Sequence, residues 1–166
     1  MHSRTKLLVA LAAIAACESS TEIPGSVRYA GLLAGTKELP VTTSLATGQL
    51  SVEVSSSGIL TYSLTWSGLT GAATGAHIHG PADSTQSAGV LLDFSALPVG
   101  SSHPSPNVMA ATGSSAGTVN VTSTAVITAT VSGDSLVKLL NAGRLYVNVH
   151  TAANVNGEIR AQIRKK

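Results

Sequence analysis

Leu50-Ser-Val-Glu-Val-Ser-Ser-Ser-Gly-Ile-Leu-Thr-Tyr-Ser-Leu-Thr-Trp66 decides the fold class. Leu50, Val52 and Val54 alternate with Ser51 and Glu53. After Ser57-Gly58, Leu60, Tyr62, Leu64 and Trp66 alternate with Thr61, Ser63 and Thr65. Neighbouring side chains of a strand point to opposite faces, so a strict period of two describes a half-buried antiparallel hairpin. Working outward, Val27, Tyr29, Gly31 and Leu33 suggest a strand before it, interrupted by Thr36-Lys-Glu-Leu-Pro-Val41, because Pro40 has no N–H for a ladder. Short strands are expected again at 75–80, 90–94, 118–122, 125–131, 145–150 and 159–163. Asp134 to Gly143 reads as the one helix, with Asp134 or Ser135 as N-cap and Gly143 ending it. The sum is an all-β chain: a two-sheet Greek-key β-sandwich of immunoglobulin-like or superoxide-dismutase-like form, with one short helix. Ser95 to Gly117 carries three prolines and no periodic signal, and reads as a long loop.

Composition agrees with one domain. The chain has 166 residues, 43% hydrophobic, too apolar to be disordered, but only 11% charged and 3% aromatic. Residues 1–16 read as an export signal: Arg4 and Lys6 supply a positive start, and Leu7 to Ala16 is apolar but too short to span a bilayer. Ile14-Ala-Ala-Cys17 closely resembles the lipobox of bacterial lipoproteins, which implies lipidation of Cys17 and a membrane anchor; the alternative is an ordinary cleaved signal. Glu18 after the cysteine is not the aspartate of inner-membrane retention, so the resemblance implies the outer membrane, or secretion if Cys17 carries no lipid. As Cys17 is the sole cysteine, no intrachain disulfide can form. Residues 17–25 form a tether and 26–166 the folded domain. Without Arg4 and Lys6, eight basic residues face eight acidic ones. No basic stripe or set of stacking aromatics points to nucleic acid, and Arg164-Lys-Lys166 is a local solubilising tail.

The chemistry lies in two strands. In Gly75-Ala-His-Ile-His-Gly80, His77 and His79 share one face, and in Leu145-Tyr-Val-Asn-Val-His150, Tyr146, Asn148 and His150 share one face while Leu145, Val147 and Val149 share the other. In Glu158-Ile-Arg-Ala-Gln-Ile163, Ile159, Ala161 and Ile163 alternate with Glu158, Arg160 and Gln162. If the apolar faces pack into one core, His77, His79, His150 and Arg160 lie on the outer surface. Three neutral imidazoles are good ligands for copper or zinc and leave a coordination position open. The plainer reading has the histidines bonded to carbonyls and Glu158, Arg160 in a surface ion pair with Glu158 or Asp93, and His103 solvated in the long loop. Gly113-Ser-Ser-Ala-Gly117 fits G-x-S-x-G, but that elbow needs a strand before it and a helix after it.

Taken together, Leu33-Ala-Gly-Thr-Lys-Glu-Leu-Pro-Val41, Ala76-His-Ile-His-Gly-Pro-Ala82, Gly89-Val-Leu-Leu-Asp93, Tyr146-Val-Asn-Val-His-Thr151 and Gly157-Glu-Ile-Arg160 resemble the CHRD domain, named after chordin and found singly in bacterial exported proteins. The resemblance covers Val27 to Ile163. Leu39-Pro40-Val41 lacks the usual double proline, and Asn154-Val-Asn-Gly157 replaces a more typical Asn-Pro-Gly-Gly turn. The family implies no general biochemical activity. A His-x-His pair, a later histidine and a late arginine also follow the order of the copper site in Cu/Zn superoxide dismutase. That similarity implies His77, His79 and His150 as copper ligands and Arg160 as an anion guide; the disulfide and second-metal loop of that enzyme are absent. The expectations are therefore a binding or structural module with a copper or zinc site, a copper enzyme of superoxide dismutase type as the alternative, and an unidentified protein or polysaccharide as a further possible partner.

Overall fold

The computed structural model describes residues 25–103 and 107–166. The export signal and Cys17 lie outside these residues, and so does most of the tether. Nine strands, β1 (Val27–Ala34), β2 (Thr47–Val54), β3 (Ile59–Ser67), β4 (Ala73–His79), β5 (Val90–Asp93), β6 (Gly113–Asn120), β7 (Tyr146–Thr151), β8 (Ile159–Gln162) and β9 (Arg164–Lys165), accompany one helix, α1 (Gly133–Asn141). The decisive hairpin forms in the register its alternation demands, with Val54 opposite Leu60, Val52 opposite Tyr62 and Leu50 opposite Leu64. All of these apolar side chains are buried, while Ser51, Thr61, Ser63 and Thr65 are exposed.

The strands pair antiparallel along one path, β5-β4-β7-β8-β1-β2-β3-β6, with β9 added to β1. The strands expected to form a two-sheet Greek-key sandwich thus run in a single curled antiparallel sheet. The joint between β8 and β1 is thin, a single residue pair, Ala34 with Arg160, supplemented by Tyr29–Lys165 and Ala30–Arg164 from β9. Curling brings the two ends together: Tyr62 on β3 stacks on Phe94, just after β5, at 4.4 Å between ring centres. Between the ends lies one core, with Leu50, Val52, Leu64, Ile78, Leu92, Val119, Leu136, Leu140, Val147, Val149 and Ile159 among its members. Burying such aliphatic side chains contributes about 1.5–3 kcal/mol each.

Three local expectations are corrected. The supposed loop 95–117 ends in β6, which begins at Gly113; its small residues, Gly113-Ser-Ser-Ala-Gly117, hid a strand whose alternation carries little apolar contrast. Residues 125–131 form turns with one isolated bridge, Val126 to Ser132, rather than a strand. The N-cap is Ser132, two residues before Asp134 and three before Ser135, the expected caps; its side chain accepts from Ser135 N–H and the helix begins at Gly133. Ser115 lies inside β6, so the G-x-S-x-G match is not an elbow.

For the site, the important feature is a second, polar layer. The outer face of β4, β7 and β8 is covered by the β4–β5 loop, where Ala82 N–H donates to Arg144 O and Gln162 Nε2 to Ala82 O, and by the β1–β2 loop, where Thr42 Oγ1 donates to Glu158 O. These three strands are therefore buried on both faces.

Candidate metal centre

β4 sets His77 and His79 on its outer face, and the β4–β7 ladder places Asn148 opposite His77, Tyr146 opposite His79 and His150 opposite Gly75. Gly75 provides room there: a Cβ at this position would meet His77 Cε1 at 2.9 Å. The three imidazoles meet. One ring nitrogen from each of His77, His79 and His150 lies within 4.8 Å of the other two. His77 Nδ1 and His150 Nε2 are 3.0 Å apart. Nitrogens sharing an ion at about 2.0–2.1 Å lie within roughly 3–4 Å of one another, so the widest pair must close by about 1 Å.

The outer nitrogens are tied down. His79 Nδ1 donates to Ala88 O at 3.0 Å and His150 Nδ1 to Val155 O at 3.0 Å, while His77 Nε2 stands 3.8 Å from Asp93 Oδ1. Fixing one ring nitrogen on an oxygen sets the tautomer and turns the other lone pair inward, the usual support for a metal-binding histidine. His79 Nε2 is buried with no hydrogen-bond partner. Because a buried nitrogen left unpaired costs about 1–3 kcal/mol, an orphaned lone pair beside two further imidazoles fits a bound cation. Without an ion, His77 Nδ1–H donates to His150 Nε2; an ion taking both nitrogens places the His77 proton on Nε2, facing Asp93.

Burial holds all three histidines neutral. It lowers His77 against the pull of Asp93, and lowers His150 against its bond to Val155 O, with His77 adding to the depression. His79 is pushed down to about 4 by burial, which outweighs its bond to Ala88 O. Neutral imidazole is the ligand form, so the site needs no deprotonation near pH 7.

The remaining residues take other places. Arg160 shares the outer face but is only 2% exposed. Its guanidinium lies 3.5 Å over the Tyr146 ring and donates through Nη2 to Asp83 O (3.1 Å) and Gln86 O (2.7 Å). The surface ion pair with Glu158 or Asp93 is thereby corrected: Arg160 braces the β4–β5 loop that supplies Ala88 O. Tyr146 stacks flat on His79, at 4.8 Å and 2°, and its hydroxyl donates to Ala88 O. Glu158 touches none of the histidines. Its carboxylate, fully buried, accepts from Ser44 Oγ, Thr70 N–H, Thr70 Oγ1, Thr151 Oγ1 and Asn154 Nδ2. Burial raises its pKa, but these bonds outweigh burial and hold it at about 2. His103 sits elsewhere, with Nδ1 3.2 Å from Tyr62 Oη beside β6. Sequence alternation placed Tyr146 and Asn148 on the histidine face without marking them as partners. Ala88 O, Val155 O and Glu38 come from loops and left no signal.

A curled antiparallel β-domain with a three-histidine cluster between its sheet and a covering loop is the class that fold and site define. The CHRD domain family matches residues 29–163, once, and the chain belongs to that family. Neither curated proteins nor solved structures gave a match.

Proposed function

We propose that the protein is an exported CHRD-domain module that binds one copper or zinc ion through His77 Nδ1, His79 Nε2 and His150 Nε2. The observation that carries this reading is the convergence of three imidazoles, each with its outer nitrogen facing an oxygen and one with a buried, unpartnered inner nitrogen. When bound, copper would supply one-electron redox chemistry and zinc Lewis acidity. The chain itself orients the rings and keeps them neutral. Softness and geometry favour copper or zinc over magnesium or calcium, which prefer oxygen ligands. In the same reading Cys17 anchors the domain to the outer membrane, or the domain is secreted, and the curled sheet is a Greek-key sandwich whose halves are continuous through β8 and β1.

A superoxide dismutase-type enzyme remains the second reading because Arg160 stands on the histidine face. Binding ranks ahead of it, since the guanidinium is buried and committed to carbonyls, whereas an anion guide must face solvent. Metal analysis of untagged protein tests the site. Wild type is expected to take up about one equivalent of copper or zinc and His150→Ala far less; equal, negligible uptake by both would overturn it. A superoxide assay on the copper-loaded protein then separates enzyme from binder.

A further inference from the structure

We propose that Asn148 Oδ1 is the fourth donor to the ion held by His77, His79 and His150, closing the coordination position that three histidines would leave open; this rests on the metal reading above. Asn148 projects from β7 on the same face as His150, two residues away, and sits directly across the ladder from His77. It is 2% exposed, and its Oδ1 has no hydrogen-bond partner. Native proteins rarely leave a buried amide oxygen unpaired, because doing so costs about 1–3 kcal/mol.

The neighbours make the vacancy specific. The Asn148 side chain lies within interaction range of His79, whose Nε2 is equally buried and unpartnered. With its proton on Nδ1 for Ala88 O, His79 presents a lone pair, and so does Asn148 Oδ1. Neither can donate to the other while His79 is neutral, the state that its burial favours. A cation between them satisfies both.

The amide cannot turn around to escape this conflict. Its Nδ2 donates to Asn156 O at 3.4 Å and lies beside Glu38, a carboxylate only 2% exposed. A Cβ at Gly157 would collide with both Glu38 Oε1 and Asn148 Nδ2, which shows how closely that glycine lets the two groups pack. Exchanging the oxygen and nitrogen of the amide would aim Oδ1 at a carboxylate and a carbonyl. Glu38 is thus the positioning residue: its carboxylate, close to Nδ2, disfavours the exchanged amide and so directs Oδ1 to the histidine side.

The resulting three-nitrogen, one-oxygen site fills the position that three histidines leave open, which suits holding an ion rather than turnover at it. The test uses copper(II) and azide on the untagged full chain. Azide is expected to perturb the electron paramagnetic resonance spectrum of Asn148→Ala, whose fourth position is open, at a lower concentration than it perturbs that of the wild type. Copper affinity, measured by competition with a chelator, should fall about tenfold in Asn148→Ala, as losses around a metal site generally do. The isosteric Asn148→Asp should bind at least as tightly as wild type, with an altered spectrum; this variant keeps the test valid if the alanine variant does not fold. Equal azide sensitivity of wild type and Asn148→Ala, or spectra and affinities indistinguishable among the folded proteins, would overturn the role of Asn148 while leaving the three-histidine site standing. No copper uptake by wild type would overturn both.

Discussion

Replacing Glu158 with glutamine tests how the polar layer is held. The carboxylate accepts five hydrogen bonds: Ser44 Oγ at 2.7 Å and Thr70 N–H at 2.8 Å on Oε1, and Thr70 Oγ1 at 2.7 Å, Thr151 Oγ1 at 2.6 Å and Asn154 Nδ2 at 3.0 Å on Oε2. A glutamine turns one of those oxygens into an NH2. The hydroxyls can rotate to accept from it and the Asn154 amide can turn its oxygen toward it, but Thr70 N–H cannot accept. With the NH2 on the Oε1 side Thr70 N–H faces a second donor, at about 1–3 kcal/mol, and with it on the Oε2 side Asn154 must turn and give up its bonds to Thr70 Oγ1 and Thr151 Oγ1; either way the remaining bonds lose the assistance of the charge, about 1 kcal/mol or more together. The expected loss is about 2–4 kcal/mol, a large part of the stability of an ordinary domain. Urea denaturation at pH 7 should show the midpoint falling with an unchanged slope. The difference should also shrink in acid. The carboxyl is ionised in the folded protein down to about pH 2 but takes up its proton near 4.5 when unfolded. The stability it confers is therefore complete above pH 4.5 and is lost as pH falls through 2. A loss under about 1 kcal/mol, or one independent of pH between 5 and 2, would refute the reasoning.

Three further outcomes follow from the site. The metal-free protein should lose stability as pH falls from 6.5 toward 4, because the unfolded histidines protonate before the buried ones; His79, held at about 4, contributes on the order of 2–3 kcal/mol, readable as a change in denaturation midpoint between pH 7 and pH 4.5. Arg160→Met should free the β4–β5 loop to faster proteolysis and weaken metal binding about tenfold through the loss of a fixed Ala88 O, both measured on the purified variant. His103→Ala should leave metal uptake unchanged, since His103 contacts Tyr62 and Ala116 rather than the cluster; a fall in stoichiometry would contradict that placement.

The sequence discloses the hairpin and the histidine face because both depend on a period of two, which the pleat imposes on any strand. The same rule that put Leu50 and Leu64 inward put His77, His79 and His150 outward, and the β4–β7 ladder then brought them together. It could not reveal that the outward face is itself covered. Arg160 and Glu158 look like surface charges in an alternating strand, and their burial comes from two loops whose path is set by tertiary contacts: Gln162 to Ala82 O, Thr42 to Glu158 O. β6 was lost for a related reason. Its alternating positions hold serine, alanine and glycine, so apolar contrast fails just where tight packing against Tyr62 and Trp66 demands small residues.

The curl of the sheet ends in a seam fastened by side chains, Tyr62 on Phe94 and Asn107 Nδ2 to Phe94 O, with no strand ladder between β5 and β6. An edge of four residues held this way is the place where the domain opens first on the slow timescale of amide exchange. β5 also carries Asp93, and the covering loop runs directly into it, so the edge most prone to breathe is the one that supports the outer nitrogens of His77 and His79. Occupancy of the cluster would thereby be felt as slowed deuterium uptake along Val90–Asp93, and loosening of the seam as faster release of whatever the histidines hold.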